Sequence, residues 1–219
     1  MRVVLIHGAA TDSRVWHRTI AALHAHWDAD EPLETLAVNR PQTGDWDTEC
    51  AALAPVCVDA YVVGVSGGAT LGLELAARGV AMRAALLHEP AAGSLAPDLL
   101  AHVAEGLQRE GVAGFGRSLY GQLWSPTDTA APREMVTAEF AMFGAFEPRP
   151  LTIPTHKVHL SVGELSPASR HEAVHRLADF LGIDTYVIPG AGHAVHLENN
   201  YWPHIVDLLH RPIAGATRN

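Results

Sequence analysis

The chain has 219 residues, of which 48% are hydrophobic and 18% charged, and this size and apolar content predict a single domain with a large core. Its formal net charge of -9 and its lack of clustered lysine and arginine argue against a nucleic-acid-binding surface, because phosphates are neutralised by basic side chains. No apolar run is long enough to span a bilayer and no basic leader precedes the first strand, so we expect a soluble, cytoplasmic protein.

Short runs rich in valine, leucine and isoleucine alternate with helical patterns along the chain. The runs predicted to be strands are residues 2–7, 33–38, 58–65, 84–88, 156–162 and 185–188. Helices are predicted at residues 13–23, 46–56, 67–77, 169–181 and 201–209. This alternation indicates an α/β fold with a doubly wound, mostly parallel sheet of about six strands.

The third predicted strand leads into a serine flanked by glycines. The chain reads Gly64-Val65-Ser66-Gly67-Gly68 and then continues as a helix. A serine at the tip of a sharp strand-to-helix turn is held in strained backbone space, and small neighbours leave room for it. The pattern predicts that Ser66 is a nucleophile and that the amide of Gly67 faces the oxygen that becomes negative during attack. The alternative is a glycine-rich loop with an incidental serine.

Residues 91–155 follow the fourth strand and interrupt this alternation. The segment is too long for a simple connection, and it contains helical patterns at 99–107, 113–124 and 133–146. We interpret it as a helical cap over the carboxyl ends of the strands. The candidates to line an apolar pocket beneath this cap are Tyr120, Trp124 and Phe143. Each of these could instead pack the cap against the body of the domain.

Two further motifs flank the serine turn in the sequence. His7-Gly8-Ala9 follows the first strand, and Gly190-Ala191-Gly192-His193 follows the last. In this order the three motifs resemble the alpha/beta-hydrolase family, and the resemblance covers nearly the whole chain. It implies that Ser66 is the nucleophile, that His193 is the general base, and that the backbone of Ala9 supplies a second oxyanion amide.

The acid departs from the family pattern. The position that matches the usual aspartate holds Ser166, whose neutral hydroxyl does not stabilise an imidazolium as a carboxylate does. Some relatives place the acid at the end of the strand after the elbow helix, where this chain has Glu89. We therefore predict Glu89 as the acid, with Glu164 as the alternative.

A rival motif lies in the helix predicted at 169–181. His171, Glu172 and His175 match the H-E-x-x-H zinc signature, so a zinc hydrolase is an alternative mechanism. Helical periodicity argues against it, because both histidines fall on the side opposite Leu177, which centres the apolar face. We therefore predict no metal site.

These features together predict a serine hydrolase that cleaves a small, mostly apolar ester, thioester or lactone through an acyl-enzyme. Two alternatives remain open, a non-hydrolytic lyase or cyclase of the same fold and a non-catalytic receptor for a small molecule. The predicted partner is a small-molecule substrate rather than nucleic acid or membrane, and no cofactor is needed. The sequence does not determine the oligomeric state.

Overall fold

Six strands form one sheet in the computed structural model, which describes residues 1–198 and 200–210. The strands are β1 (Arg2–Ile6), β2 (Glu34–Val38), β3 (Tyr61–Val65), β4 (Ala84–His88), β5 (Val158–Gly163) and β6 (Asp184–Ile188). Their order across the sheet is β2-β1-β3-β4-β5-β6, and every neighbouring pair is parallel. The predicted doubly wound α/β fold is confirmed, with a fully parallel sheet where a mostly parallel one was expected.

Helices connect the strands and lie on both faces of the sheet. They are α1 (His17–His26), α2 (Trp46–Cys57), α3 (Gly67–Ala77), α4 (Ala101–Tyr120), α5 (Arg133–Gly144), α6 (Ala168–Leu181), α7 (Val195–Glu198) and α8 (Trp202–His210). The helices predicted at 99–107 and 113–124 are joined in α4, which is kinked at Gly111 with a φ of 62°. Within the described residues, no helix is long and apolar enough to cross a membrane.

The side chains of the central strands β1, β3, β4 and β5 alternate between two buried layers. In β1, Val4 and Ile6 pack with α2, α3 and α6 on one face of the sheet. Val3 and Leu5 point to the other face and pack with α1 and α8. All four side chains are fully buried. Burial on both faces explains why the strands are nearly continuous apolar runs in the sequence.

The segment 91–155, which we call the insert, lies between β4 and β5 and contains α4 and α5. Two of its aromatic residues hold the loop that follows β1. The Tyr120 hydroxyl donates a hydrogen bond of 2.9 Å to the carbonyl of Ala9, and Trp124 Nε1 donates one of 2.8 Å to the carbonyl of Ala10. The insert is therefore fixed to the edge of the sheet where the central strands end.

A buried ion-pair network also joins the insert to the sheet layers. Arg40 lies 3.1 Å from a carboxylate oxygen of Glu49 in α2 and 2.7 Å from one of Glu139 in α5. The three side chains have no exposed surface. Arg40 also donates a hydrogen bond of 3.3 Å to the carbonyl of Gly8, so one cation connects α2, the insert and the loop after β1.

Candidate active site

Ser66 lies at the sharp turn between β3 and α3. Its backbone has φ 55° and ψ −121°, a region that non-glycine residues rarely adopt. The turn is fixed from both sides, because the Ser66 amide donates to the carbonyl of His88 at 2.8 Å and the Ser66 carbonyl accepts from the Thr70 amide at 3.0 Å. The strained conformation that the glycine pattern predicts is present at this serine.

The glycines on either side of Ser66 are required by close packing. A Cβ on Gly64 would lie 2.5 Å from the carbonyl oxygen of Gly68. A Cβ on Gly68 would overlap the carbonyl oxygen of Ile6 in β1. Larger residues would therefore push α3 away from the sheet and move Ser66 with it.

His193, in the loop between β6 and α7, is hydrogen-bonded to Glu89, which directly follows β4. The distance from His193 Nδ1 to Glu89 Oε2 is 2.8 Å, and the two residues are 7% and 1% exposed. The other carboxylate oxygen, Oε1, accepts from the Gly163 amide at 2.9 Å and from the Ser166 hydroxyl at 2.5 Å. Both oxygens of Glu89 thus have buried donors, and one of these donors is the imidazole.

The charges around this pair fix its protonation. Burial alone would raise the pKa of Glu89, but the hydrogen bond from His193, the neighbouring His88 and the positive charge of Arg170 hold it well below its usual value. Burial, followed by the charge of Arg170, lowers the pKa of His193 to about 4, although Glu89 acts in the opposite direction. At neutral pH the site therefore contains an ionised carboxylate and a neutral imidazole that can accept a proton.

Tyr120 contacts both Ser66 and His193. Its ring stacks on the His193 ring, with centroids 5.5 Å apart and an angle of 6° between the planes. A Cβ on Gly8 would overlap the Tyr120 hydroxyl and lie 3.1 Å from the Ser66 Cβ, which places that hydroxyl beside the serine. Among residues 1–198 and 200–210, His193 Nε2 has no hydrogen-bond partner. A hydrogen bond between Ser66 and His193 therefore requires the two side chains to move relative to each other.

The two backbone segments predicted to supply oxyanion amides line the same cavity as Ser66. Gly67 opens α3, where the first amides have no partner within the helix and the helix dipole favours negative charge. Ala9 follows β1, and the carbonyl of the preceding Gly8 accepts hydrogen bonds from Thr11 at 2.9 Å and from Arg40 at 3.3 Å. Because the C=O and N–H groups of a trans peptide point in opposite directions, these bonds also fix where the Ala9 amide points.

A narrow cavity opens beside Ser66 and has a volume of about 20 Å³. The cavity is lined by Ala9, Ser66, Gly67, Thr70, Glu89, Ala91, Leu100, Val103, Phe115, Leu119, Phe140, Phe143 and Arg170. Of the three predicted pocket residues, Phe143 lies in this lining, whereas Tyr120 and Trp124 bond the carbonyls after β1.

Glu164, the alternative acid, lies at a different place. Its side chain is exposed, and Oε2 accepts a hydrogen bond of 2.8 Å from the Gly190 amide. It therefore supports the start of the histidine loop, while Glu89 contacts the imidazole itself.

The zinc-signature residues lie on α6 away from Ser66. His175 is exposed, His171 is half-buried, and Glu172 forms an ion pair with Arg176 one turn further along. In the described part of the chain, no group of three histidine, cysteine, aspartate or glutamate residues is placed to hold a metal ion.

The sequence reasoning gave no role to two residues that lie within the site. His88 donates from Nε2 to the carbonyl of Gly192 at 3.1 Å and accepts at Nδ1 from Ser161 at 3.0 Å, so it ties β4 to the histidine loop. Arg170 lies with Nε 3.4 Å from Glu89 Oε2. Helical periodicity places Arg170 on the apolar face of α6, and a charged residue on such a face is the signal that could have identified it.

Comparisons with known proteins identify the family and the fold of the chain. A family model described as the alpha/beta hydrolase family matches residues 3–200. The chain is similar in fold to the enol-lactonase from Burkholderia xenovorans LB400, with a TM-score of 0.70, 17% identity and coverage of 96% of this chain and 91% of that one. It is similar to the RedJ thioesterase of the prodiginine biosynthetic pathway in Streptomyces coelicolor, with a TM-score of 0.64, 18% identity and coverage of 95% and 90%. It is also similar to the naproxen esterase from Bacillus subtilis, with a TM-score of 0.56, 17% identity and coverage of 95% and 81%. No curated protein sequence matches the chain.

Proposed function

Because the chain belongs to the alpha/beta hydrolase family, we propose that it is a serine hydrolase that cleaves a small, mostly apolar ester, thioester or lactone. The observation that carries this proposal is the buried hydrogen bond of 2.8 Å between His193 and Glu89, next to a serine with φ 55° at the start of a helix. An ionised carboxylate that orients a neutral imidazole beside a serine hydroxyl is the arrangement that serine hydrolases use to activate their nucleophile.

In the proposed first half-reaction, His193 Nε2 takes the hydroxyl proton as Ser66 Oγ forms a bond to the carbonyl carbon of the substrate. The carbonyl oxygen becomes negative and accepts hydrogen bonds from the amides of Gly67 and Ala9. The imidazolium then gives its proton to the leaving oxygen or sulfur. The bond to that atom breaks, and the acyl group remains on Ser66.

In the second half-reaction, His193 takes a proton from water while the water oxygen attacks the acyl carbon. The tetrahedral intermediate is held by the same amides, and its collapse returns the proton to Ser66 and releases a carboxylic acid. Glu89 holds the imidazole in the tautomer with a free Nε2 and stabilises the imidazolium in both halves. These steps use no metal and no organic cofactor.

We propose that the insert, residues 91–155, is a helical cap over this site. Support comes from the insert's aromatic side chains, since Phe115, Phe140 and Phe143 line the cavity beside Ser66. The cavity that they line is narrow, with a volume of about 20 Å³. We expect these side chains, or the helices that carry them, to move outwards when a larger acyl group enters.

The proposal is tested by intact-mass labelling with a serine-directed organophosphorus probe and by turnover of a short-chain aryl ester. We expect one adduct on the native protein and none on the Ser66→Ala variant, whose ester turnover falls by at least about 10³-fold. Ser169→Ala, at an exposed position on α6, is the matched control and leaves labelling and turnover unchanged.

Two other outcomes would contradict the proposal. Native ester turnover that survives Ser66→Ala would show that Ser66 is not the nucleophile. A native protein that forms no adduct and hydrolyses no ester would favour the lyase, cyclase or receptor alternatives.

A further inference from the structure

The guanidinium of Arg170 is buried beside Ser66 with its donors unused. The residue is 5% exposed and lines the cavity together with Ser66 and Gly67. Within the part of the chain that the structure describes, this guanidinium donates no hydrogen bond, and its single ion contact joins Nε to Glu89 Oε2 at 3.4 Å. A guanidinium has five N–H donors, so Arg170 keeps donors that can bind an acceptor in this cavity.

Glu89 is not a full partner for this cation. The carboxylate accepts shorter bonds from Gly163, Ser166 and His193, at 2.9, 2.5 and 2.8 Å. In the proposed reaction the carboxylate must also stabilise a protonated His193. Arg170 is therefore left with donors that these interactions do not satisfy.

The remainder of the cavity offers Arg170 no anion. Besides Glu89, the residues that line the cavity carry apolar side chains or the hydroxyls of Ser66 and Thr70. Oriented N–H donors in an enclosed apolar site are strongly selective for a ligand that accepts their hydrogen bonds, because other ligands leave them unpaired. We therefore expect the bound molecule to carry the group that accepts hydrogen bonds from Arg170.

We infer that Arg170 binds a carboxylate carried by the acyl part of the substrate. The flat guanidinium fork matches the two oxygens of a carboxylate, which makes this anion the best fit. The acyl part is assigned to this cavity because it stays bonded to Ser66 while the leaving group departs. The inference rests on the proposed hydrolysis and narrows its substrates to esters, thioesters or lactones that bear an acid group.

The kinetic test compares two aryl esters of similar size, a neutral butyryl ester and a succinyl ester with a free carboxylate. We expect the native protein to prefer the succinyl ester by at least about tenfold in kcat/KM. Arg170→Gln should lower kcat/KM for the succinyl ester by about 100-fold and for the butyryl ester by less than about tenfold. Arg170→Lys, which keeps the charge, should retain part of the preference. Arg176→Gln, an exposed change on the same helix, should retain all of it.

A binding experiment separates this inference from the proposed hydrolysis. The Ser66→Ala protein is titrated calorimetrically with monomethyl succinate and with methyl butyrate, and the titrations are repeated with Ser66→Ala/Arg170→Gln. Selective binding of the succinate ester that is lost in the double variant supports the inference even if no ester is hydrolysed. Equal losses for both aryl esters in Arg170→Gln, or binding that the double variant retains, would overturn it and leave Arg170 as a positioning residue for Glu89.

Discussion

Ser166 donates a hydrogen bond of 2.5 Å to Glu89, from the position where the family resemblance expects the acid itself. The carboxylate comes instead from the end of β4, the strand next to the one that precedes Ser166. The Gly163 amide and the Ser166 hydroxyl both donate hydrogen bonds to Oε1 of Glu89, and His193 is hydrogen-bonded to the other oxygen, Oε2. The residue at the position of the usual acid thus hydrogen-bonds the carboxylate that we propose as its substitute.

The two candidate acids are distinguished by separate substitutions. Glu89→Gln should lower kcat by about 10³-fold or more, because an amide does not stabilise the imidazolium and disturbs the His193 tautomer. Glu164→Gln should change kcat by less than about threefold, since this exposed side chain bonds the Gly190 amide and does not contact the imidazole. Steady-state turnover of an aryl ester measures both effects. A larger loss for Glu164→Gln would contradict the assignment of Glu89.

The pH profile reports the environment of His193. Only the neutral imidazole accepts the Ser66 proton, so activity is lost as the pH falls through the pKa of His193 in the free enzyme. Burial and the charge of Arg170 lower this pKa to about 4. As the pH is lowered, we therefore expect kcat/KM to stay constant through pH 6 and to fall only as the pH approaches 4. Circular dichroism at each pH separates titration from unfolding. A fall centred near 6.5 in folded protein would contradict the buried, cation-facing environment.

The features that could be predicted from the sequence are those set by short segments. The elbow at Ser66 depends on one strand end and on glycines two residues to either side, whose small size is needed where β3, α3 and β1 meet. The end of β4 could also be located from its apolar run, and parallel strands bring their carboxyl ends to one edge of a sheet. Together with the family resemblance, this places Glu89 at the edge of the sheet where the histidine loop is expected.

The features that were missed depend on contacts between distant segments. Ser166 could not be recognised as a donor to Glu89 from its own neighbours, because the two residues are 77 positions apart. Tyr120 and Trp124 were assigned to a pocket by their apolar character, whereas docking of the insert turned their polar atoms towards the carbonyls of residues 9 and 10. Arg170 was seen on the apolar face of its helix, but periodicity does not show what a buried cation faces.

The ion-pair network beneath the insert makes a prediction about stability. Glu139→Ala leaves Arg40 buried with Glu49 as its remaining carboxylate partner, which should cost about 3–5 kcal/mol of unfolding free energy. For a chain of this length we expect the melting temperature to fall by roughly 10 °C. Thermal and urea denaturation provide the measurement. Glu134→Ala, an exposed change in the first turn of the same helix, is the control, and an equal shift in both variants would contradict a role for the network.

The proposed position of the acid can be tested by exchanging the carboxylate and the hydroxyl between residues 89 and 166. In Glu89→Ser, His193 loses its carboxylate and activity should fall by about 10³-fold or more. Adding Ser166→Asp restores a carboxylate at the position that the family resemblance expects, and the native Ser166 hydroxyl already lies 2.5 Å from the carboxylate that contacts His193. The kcat of the double variant should therefore be at least about tenfold higher than that of Glu89→Ser alone.

The matched comparison for this exchange is Ser166→Asp alone. It places a second carboxylate against Glu89, and the repulsion between the two like charges should raise the pKa of one of them and lower activity. If either position can supply the carboxylate, Ser166→Asp should lower kcat in the native protein and raise it in the Glu89→Ser variant. A double-mutant cycle of kcat measures this coupling between the two positions. Additive effects in that cycle would show that residues 89 and 166 do not share one carboxylate site.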